Sequence, residues 1–423
     1  MNNAKVVVIG GGFAGLNTVK SLKKAKLDIT LIDKSNHHLF QPLLYQVATA
    51  ALSPAEIAYP LREIFSKHKN TTVIMGDVQA ICKEKKEIVL GNGDTINYDY
   101  LVIATGARHS YFGSDQWEPL APGLKTIGDA LKIRGHILMS FEKAERITCH
   151  QEAAKYLNFV VIGGGPTGVE MAGAIAEIAR TTMLHNFRRI KPEEAKVFLV
   201  EGLPHILPVY SEGLSNSAKK DLEKLGVKVL TGKKVTNITS EGVQIEEQFI
   251  ESKNVIWAAG NQASALLKTL DTPLDRQGRA IVEADLSIPG HPEVFVIGDA
   301  SHAKDANEKP LPGTAPVAIQ QGKYIAKILT NQPSKESRPP FKYWDKGSMA
   351  TIGKGKAIAV VGKLEFGGFL AWLAWGVIHI LYLVGFRNRI GVIMEWIVVF
   401  LTGQRGVRII TEDIDPGLPR NNV

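Results

Sequence analysis

The chain has 423 residues, a formal net charge of +8 and two cysteines. That length suits two or three domains, and the apolar content allows sizeable cores. Cys82 and Cys149 form no CxxC, which excludes a disulfide framework and a cysteine zinc site, and basic residues that do not alternate with aromatics leave no nucleic-acid signature. The modest positive charge is compatible with an anionic membrane surface or with simple solubility and does not choose between them.

Val6–Ile9 reads as a buried strand, Gly10, Gly12 and Gly15 as a G-x-G-x-x-G turn, and Leu16–Lys24 as the helix that follows. A second strand, Ile29–Asp33, ends in an acid. A strand that enters a helix through such a turn leaves free N–H groups and a positive dipole end to hold a pyrophosphate, and the acid meets a ribose hydroxyl. With the fingerprint this close to residue 1, no signal peptide is expected before it. Residues 36–46, from Asn36 through His37, His38 and Tyr45 to Gln46, mix imidazole, amide and phenol with apolar side chains. They read either as a loop and short helix packed on the sheet or as a wall of a flavin and second-substrate pocket.

Val73–Met75, Glu87–Leu90 and Tyr100–Ile103 read as strands, with a hairpin turn at Gly91–Asp94. Thr105 and Gly106 follow at a strand's carboxyl end, where cofactors sit in open α/β sheets. Residues 125–156 are helical in composition. The fingerprint then recurs: strand Phe159–Ile162, glycines Gly163, Gly165 and Gly168, helix Val169–Arg180, and strand Val197–Glu201 with its own acid. Two such units imply two dinucleotides. No arginine follows Glu201 to meet a 2′-phosphate, which points to NADH over NADPH.

A further buried strand, Val294–Ile297, ends in Gly298–Asp299, whose carboxylate suits the ribityl chain of a flavin. Its late position implies that the second dinucleotide domain is inserted into the first, so Gly10–Gly15 is the flavin loop and Gly163–Gly168 the NADH loop. Ala315–Leu329 reads as a helix. The expected segments are 1–115 and 266–330 for FAD, 116–265 for NADH, and a C-terminal module over 331–423.

That module contains short strands around Ala357–Gly362, then an uncharged run, Gly367–Phe386, broken by Arg387–Asn388–Arg389. Ile390, Ile393, Met394, Ile397, Phe400 and Leu401 next form one apolar helical stripe. Ile390–Thr402 would extend only ~20 Å against a ~30 Å hydrocarbon core, which disfavours a transmembrane hairpin. Three arrangements fit: a monotopic anchor lying in the membrane plane with Arg405 and Arg408 toward headgroups, a buried dimer or core interface, and a single span.

Together these residues resemble the type II NADH dehydrogenases, single-chain NADH:quinone oxidoreductases of the two-dinucleotide flavoprotein superfamily. Both fingerprints with their acids, the His37–Gln46 segment, Gly298–Asp299 and Ala315–Gly322 carry the resemblance, which covers essentially the whole chain. Ala315–Gln320 is similar to the family's AQxxxQ quinone motif, with Pro316 where that motif has glutamine; Gln320 matches and Gln321 is adjacent. The resemblance implies an α/β fold with two Rossmann-like domains and a C-terminal amphipathic membrane anchor. It implies FAD as cofactor, NADH as substrate and two-electron transfer to a quinone without proton pumping. The absence of a redox CxxxxC, and of any cysteine after Cys149, sets the chain apart from disulfide-reductase and sulfide:quinone relatives.

Site residues carried over are Gly10, Gly12, Gly15, Asp33, Thr105, Gly106 and Asp299 for FAD, and Gly163, Gly165, Gly168 and Glu201 for NADH. Ala315, Gln320, Gln321 and Tyr45 are carried over for quinone, and no metal is implied. Glu170 matches an acid the family places near nicotinamide and flavin; on the residues alone it reads as an ordinary acid at a helix N-terminus. The quinol's protons come from Glu170, His37, His38, Tyr45 or water. The expected location is peripheral, on the cytoplasmic side of the cell membrane, with pairing of two copies left open. The alternative readings are a soluble-acceptor NAD(P)H flavin reductase and an NADH-sensing flavoprotein of the apoptosis-inducing-factor type.

Overall fold

The computed structural model describes residues 3–410. The outermost parts of the expected first and last segments, 1–2 and 411–423, lie outside the described residues. In chain order the elements that build the sites are β1 (Ala4–Ile9), α1 (Phe13–Ser21), β2 (Leu27–Asp33), α2 (Leu44–Ala48), β3 (Thr71–Met75) and β4 (Tyr100–Ile103). Then come α3 (Ile127–Arg146), β5 (Asn158–Ile162), α4 (Pro166–Glu177), β6 (Lys196–Glu201), β7 (Val227–Thr231) and β8 (Asn254–Trp257). The last group is β9 (His291–Val296), α5 (Ala315–Asn331), β10 (Ser348–Gly353), β11 (Lys356–Val361), β12 (Leu364–Gly368), α6 (Phe369–Tyr382) and α7 (Phe386–Thr402).

Two compact units form. One contains Met1–Leu39, Ala58–Arg108 and Asn261–Lys346; the other contains Phe40–Ile57, His109–Gly260 and Gly347–Val423. In the first, a six-stranded sheet runs, after the short edge strand Ser287–Ile288, in the order β9, β4, β1, β2, β3. Apart from the antiparallel edge strand all these pairings are parallel, with Val6 opposite both Ile29 and Tyr100. The strands bury Val7, Ile9, Ile32, Ile103, Val294 and Val296 in one core. Their near-continuous β-branched runs are what a parallel sheet covered on both faces requires.

The second unit repeats the pattern with four parallel strands in the order β7, β6, β5, β8. Val160, Ile162, Val200, Val255 and Trp257 supply its core. The C-terminal strands β10, β11 and β12 form an antiparallel sheet in the same unit. Helix α4 lies directly on β10, because a Cβ at Gly173 would collide with the Ile352 carbonyl oxygen.

The tail differs from the sequence expectation in two respects. The arginine cluster does not break the apolar run; it lies in the first turn of α7, and the break falls at Leu383–Gly385, with Gly385 at φ +90°. Arg389 donates back to the carbonyls of Leu383 (2.8 Å) and Leu381 (3.0 Å), satisfying orphan acceptors at the end of α6. Arg405 does not face headgroups. It is buried, donating to the Thr49 carbonyl at 2.7 Å and pairing with Glu177 at 2.9 Å. Arg408 is turned inward too, onto the carbonyls of Arg405 and Thr182. Both arginines satisfy backbone carbonyls that the chain's return onto α4 would otherwise leave buried.

Candidate functional site

The two glycine loops fold alike, each within its own unit. Gly10 has φ +103° and Gly163 φ +110°, and a Cβ on either would strike the backbone at Ala104 or Ala258 of the neighbouring strand. A Cβ on Gly15 or Gly168 would strike the carbonyl oxygen of the first loop glycine, so the helix can approach the strand only without a side chain there. Gly12 and Gly165, in contrast, face open space within 4 Å. The first and third glycines are therefore demanded by the fold and the second keeps a cradle open at a helix N-terminus, as pyrophosphate binding requires. The Gly10 N–H donates to the Ile32 carbonyl at 2.7 Å and the Gly163 N–H to the Val200 carbonyl at 2.8 Å, which holds each loop over its sheet.

Both strand-end acids also serve the loop. Asp33 accepts from the Gly11 and Ser35 N–H groups at 2.6 Å each. Glu201 accepts from Gly164 at 2.6 Å and from Leu203 at 2.7 Å. Either carboxylate can still use its remaining lone pairs on a ribose hydroxyl.

In the first unit, α5 packs against α1 at van der Waals limit: a Cβ on Gly322 would collide with the Ala14 carbonyl oxygen. Gly298 lies beside both helices, its ideal Cβ position 3.4 Å from Ala14 and 3.7 Å from Ala318, and Asp299 follows it with its carboxyl 3.3 Å from the ideal Cβ position of Gly313. Pro316 falls in the first turn of α5, where its missing N–H is not needed. Gln321 is fully buried; its Oε1 accepts from the Gly298 N–H at 2.6 Å and its Nε2 has no partner in the protein. Gln320 differs: its amide donates to the Trp344 carbonyl at 2.8 Å and accepts from the Trp344 N–H at 3.0 Å. The pair is thus split, with Gln320 holding backbone and Gln321 retaining unused donors.

Thr105 Oγ1 and His38 Nε2 are further buried polar atoms without a protein partner. His38 Nδ1 lies 2.9 Å from the Gly11 carbonyl, so it must carry the hydrogen, and Nε2 is left an acceptor. Burial pushes His38 down to about 4, so its ring is neutral at physiological pH. Orphan polar atoms at Thr105, Gln321 and His38, with the open faces of Gly12 and Gly106, are what a polar, phosphate-bearing cofactor would satisfy. The donor set fits FAD.

The second unit assembles Tyr45, Glu170, Glu177 and Arg405. Glu170 lies in the second turn of α4, where the lean of α4 on β10 brings its Oε1 within 3.4 Å of the Thr351 N–H. Desolvation dominates that single contact and pushes the carboxyl up to about 8. Tyr45 is buried and raised well above its ordinary value, first by desolvation and then by the charge of Glu170. Gln46 donates from Nε2 to the Tyr45 hydroxyl at 2.9 Å and accepts from Trp396 Nε1 at 2.7 Å. Among the described residues no cluster of side chains suits a metal ion. Sequence reasoning named Gln46 within the 36–46 segment but missed Glu177 and Trp396 as members of this cluster. The links that bring in Trp396 and join Glu177 to Arg405 span 350 and 228 residues.

Comparison with known proteins identifies the family. The pyridine nucleotide-disulphide oxidoreductase family matches residues 4–322, and the NDH2 C-terminal domain matches residues 345–405. The type II NADH:quinone oxidoreductase NdhA of Mycobacterium tuberculosis is 45% identical over 97% of this chain and 90% of its own. The type II NADH:quinone oxidoreductase of Staphylococcus haemolyticus is 32% identical over 84% of this chain and 89% of its own. Among solved structures, NDH2 from Plasmodium falciparum in complex with NADH superposes with a TM-score of 0.87 at 22% identity, covering 97% of this chain and 100% of that one. On sequence and fold together, the chain belongs to the type II NADH:quinone oxidoreductases.

Proposed function

We propose that the protein oxidises NADH and reduces a quinone by two-electron transfer through FAD, peripherally on the cytoplasmic side of a membrane and without pumping protons. The observation that carries this reading is the pair of matching glycine cradles, Gly10–Gly15 and Gly163–Gly168, each open at its second glycine and each held by a strand-end acid, one for FAD and one for NADH. Bound FAD would supply the two-electron chemistry that couples NADH oxidation to quinone reduction. The protein binds, orients and manages protons. Gly12 and the N-terminus of α1 would hold the pyrophosphate of FAD, Asp33 its ribose, and Thr105, Gly106 and Asp299 its flavin half. The corresponding NADH contacts are Gly165 with the α4 N-terminus, and Glu201.

Quinol formation consumes two protons. Glu170 retains its proton at neutral pH and suits a donor at its carboxyl oxygen. Tyr45 keeps its phenolic hydrogen and suits a hydrogen bond to the quinone carbonyl. His38, neutral at that pH, accepts rather than supplies a proton. Gln321, an amide that does not titrate, would serve FAD through its free Nε2 rather than supply a proton.

The membrane reading rests on α6 and α7. Of the stripe expected to be one helix face, Ile390, Ile393, Met394, Ile397 and Leu401 are exposed, whereas Phe400 is half-buried with its ring 5.4 Å from that of Trp372. Leu370, Leu373, Val377 and Leu381 on α6 are exposed as well, and among the described residues no helix is long and apolar enough to cross a membrane. Pairing of two copies through this face is the competing occupant. The functional reading is tested by titrating FAD-loaded protein with NADH and a short-chain quinone. One quinol per NADH is expected; NADH oxidation that reaches oxygen or ferricyanide but never a quinone would overturn it.

A further inference from the structure

An indole N–H can only donate. The Gln46 amide atom 2.7 Å from Trp396 Nε1 must therefore be its oxygen. That fixes the other end of the amide: the NH₂ faces the Tyr45 hydroxyl and donates to it at 2.9 Å. The Tyr45 oxygen is consequently an acceptor toward Gln46, and its own hydrogen must go elsewhere. None of the described residues accepts that hydrogen, although the phenol is buried. The indole that sets this order is itself held in place. Its ring lies 5.3 Å from the Trp375 ring, and a Cβ on Gly376 would sit 3.4 Å from it.

We propose that Gln46 and Trp396 are positioning residues whose one-way hydrogen bonds turn the Tyr45 hydroxyl outward as a donor to the quinone carbonyl. This rests on the reading that the acceptor is a quinone and that Tyr45 lines its site. The apolar helix α7 then does more than rest on lipid, because its Trp396 sets the polarity of a group in the acceptor site. A Gln46→Glu substitution preserves length but reverses the order. Once ionised, a carboxylate accepts from Trp396 and from Tyr45 alike and draws the phenolic hydrogen inward; because burial raises a carboxyl's pKa, the comparison is made at about pH 9.

The test uses the full-length FAD-loaded protein, stopped-flow absorbance of the flavin, and decylubiquinone as oxidant. Reoxidation of NADH-reduced Q46E is expected to slow about tenfold, the scale of one well-placed hydrogen bond, while flavin reduction by NADH keeps its rate. The double variant Y45F/Q46E should be no slower than Y45F, because the substituted amide acts only through the phenol. Multiplying losses in that cycle, or wild-type reoxidation in Q46E, would overturn the proposal. If Q46E does not retain flavin, W396F decides: releasing the amide should raise the KM for decylubiquinone about threefold, and an unchanged KM refutes the assignment. Wild-type enzyme that decylubiquinone fails to reoxidise would instead overturn the quinone reading on which the proposal stands.

Discussion

Glu170 holds its proton because of what surrounds it. The carboxyl has one long N–H contact, from Thr351, and is otherwise desolvated, so its value rises from 4.5 in the open chain to about 8 in the fold. Between those values the folded chain binds more protons than the unfolded one, so stability is lost as pH rises through that window. Glu170→Gln removes the loss. The variant's Tm relative to wild type should therefore be higher at about pH 9 than at about pH 5, by several degrees, in scanning calorimetry. An equal difference at both pH values would show that the carboxyl is not perturbed. The sequence marked Glu170 only through family resemblance, since on its own it is an acid near a helix N-terminus. Its environment was illegible because Thr351 lies 181 residues away. Asp33 and Glu201 were legible because their partners Gly11 and Gly164 belong to the same local strand–turn–helix unit. Gln320 and Gln321 show the limit of a motif: adjacent amides in one helix point to different partners, and only the buried one keeps free donors.

At the scale of elements, the glycine spacing predicted both strand–turn–helix units because each requirement is local: a positive φ, a close helix approach, an open cradle. The tail was read less well, for a physical reason. Arg405 follows an apolar helix and carries a charge, which in sequence suggests a membrane surface. In the fold it is buried against the Thr49 carbonyl and Glu177, whose other oxygen accepts from the Lys354 N–H at 2.6 Å. This carboxylate thus joins α4, the β10–β11 turn and the segment after α7. Removing the guanidinium alone leaves a carboxylate only 22% exposed. Breaking a buried pair costs about 3–5 kcal/mol, and the remaining exposure and N–H contact of Glu177 place Arg405→Met at about 2–3 kcal/mol. Urea unfolding should show that loss and should show most of it recovered in Arg405→Met/Glu177→Met. Additive losses in the double variant would mean that the two residues stabilise the chain independently.

For the whole molecule, the decisive surface is the outer side of α6 and α7. These helices have 14 and 17 residues, or ~21 and ~26 Å, each short of the ~30 Å hydrocarbon core. Yet Leu370, Phe386 and Leu401 are 72%, 78% and 75% exposed, in a molecule whose two sheets bury nearly every other large apolar side chain of their strands. An apolar face left in water is costly, so something covers it. A lipid surface fits the pattern: α6 carries no charged residue, Arg387 is exposed at the start of α7, and Lys354 lies over the Phe400 ring at 4.5 Å. Cations at the rim of an apolar face sit at headgroup depth while the side chains between them enter the acyl region. Each buried side chain of this size contributes about 1.5–3 kcal/mol, so replacing Leu370, Phe386 and Leu401 together by serine should lower partitioning onto anionic vesicles by at least about a hundredfold. Co-sedimentation with vesicles of phosphatidylglycerol and phosphatidylcholine measures it. If copies of the chain cover the face instead, the triple variant will leave sedimentation with vesicles unchanged and convert a dimer to a monomer in analytical ultracentrifugation.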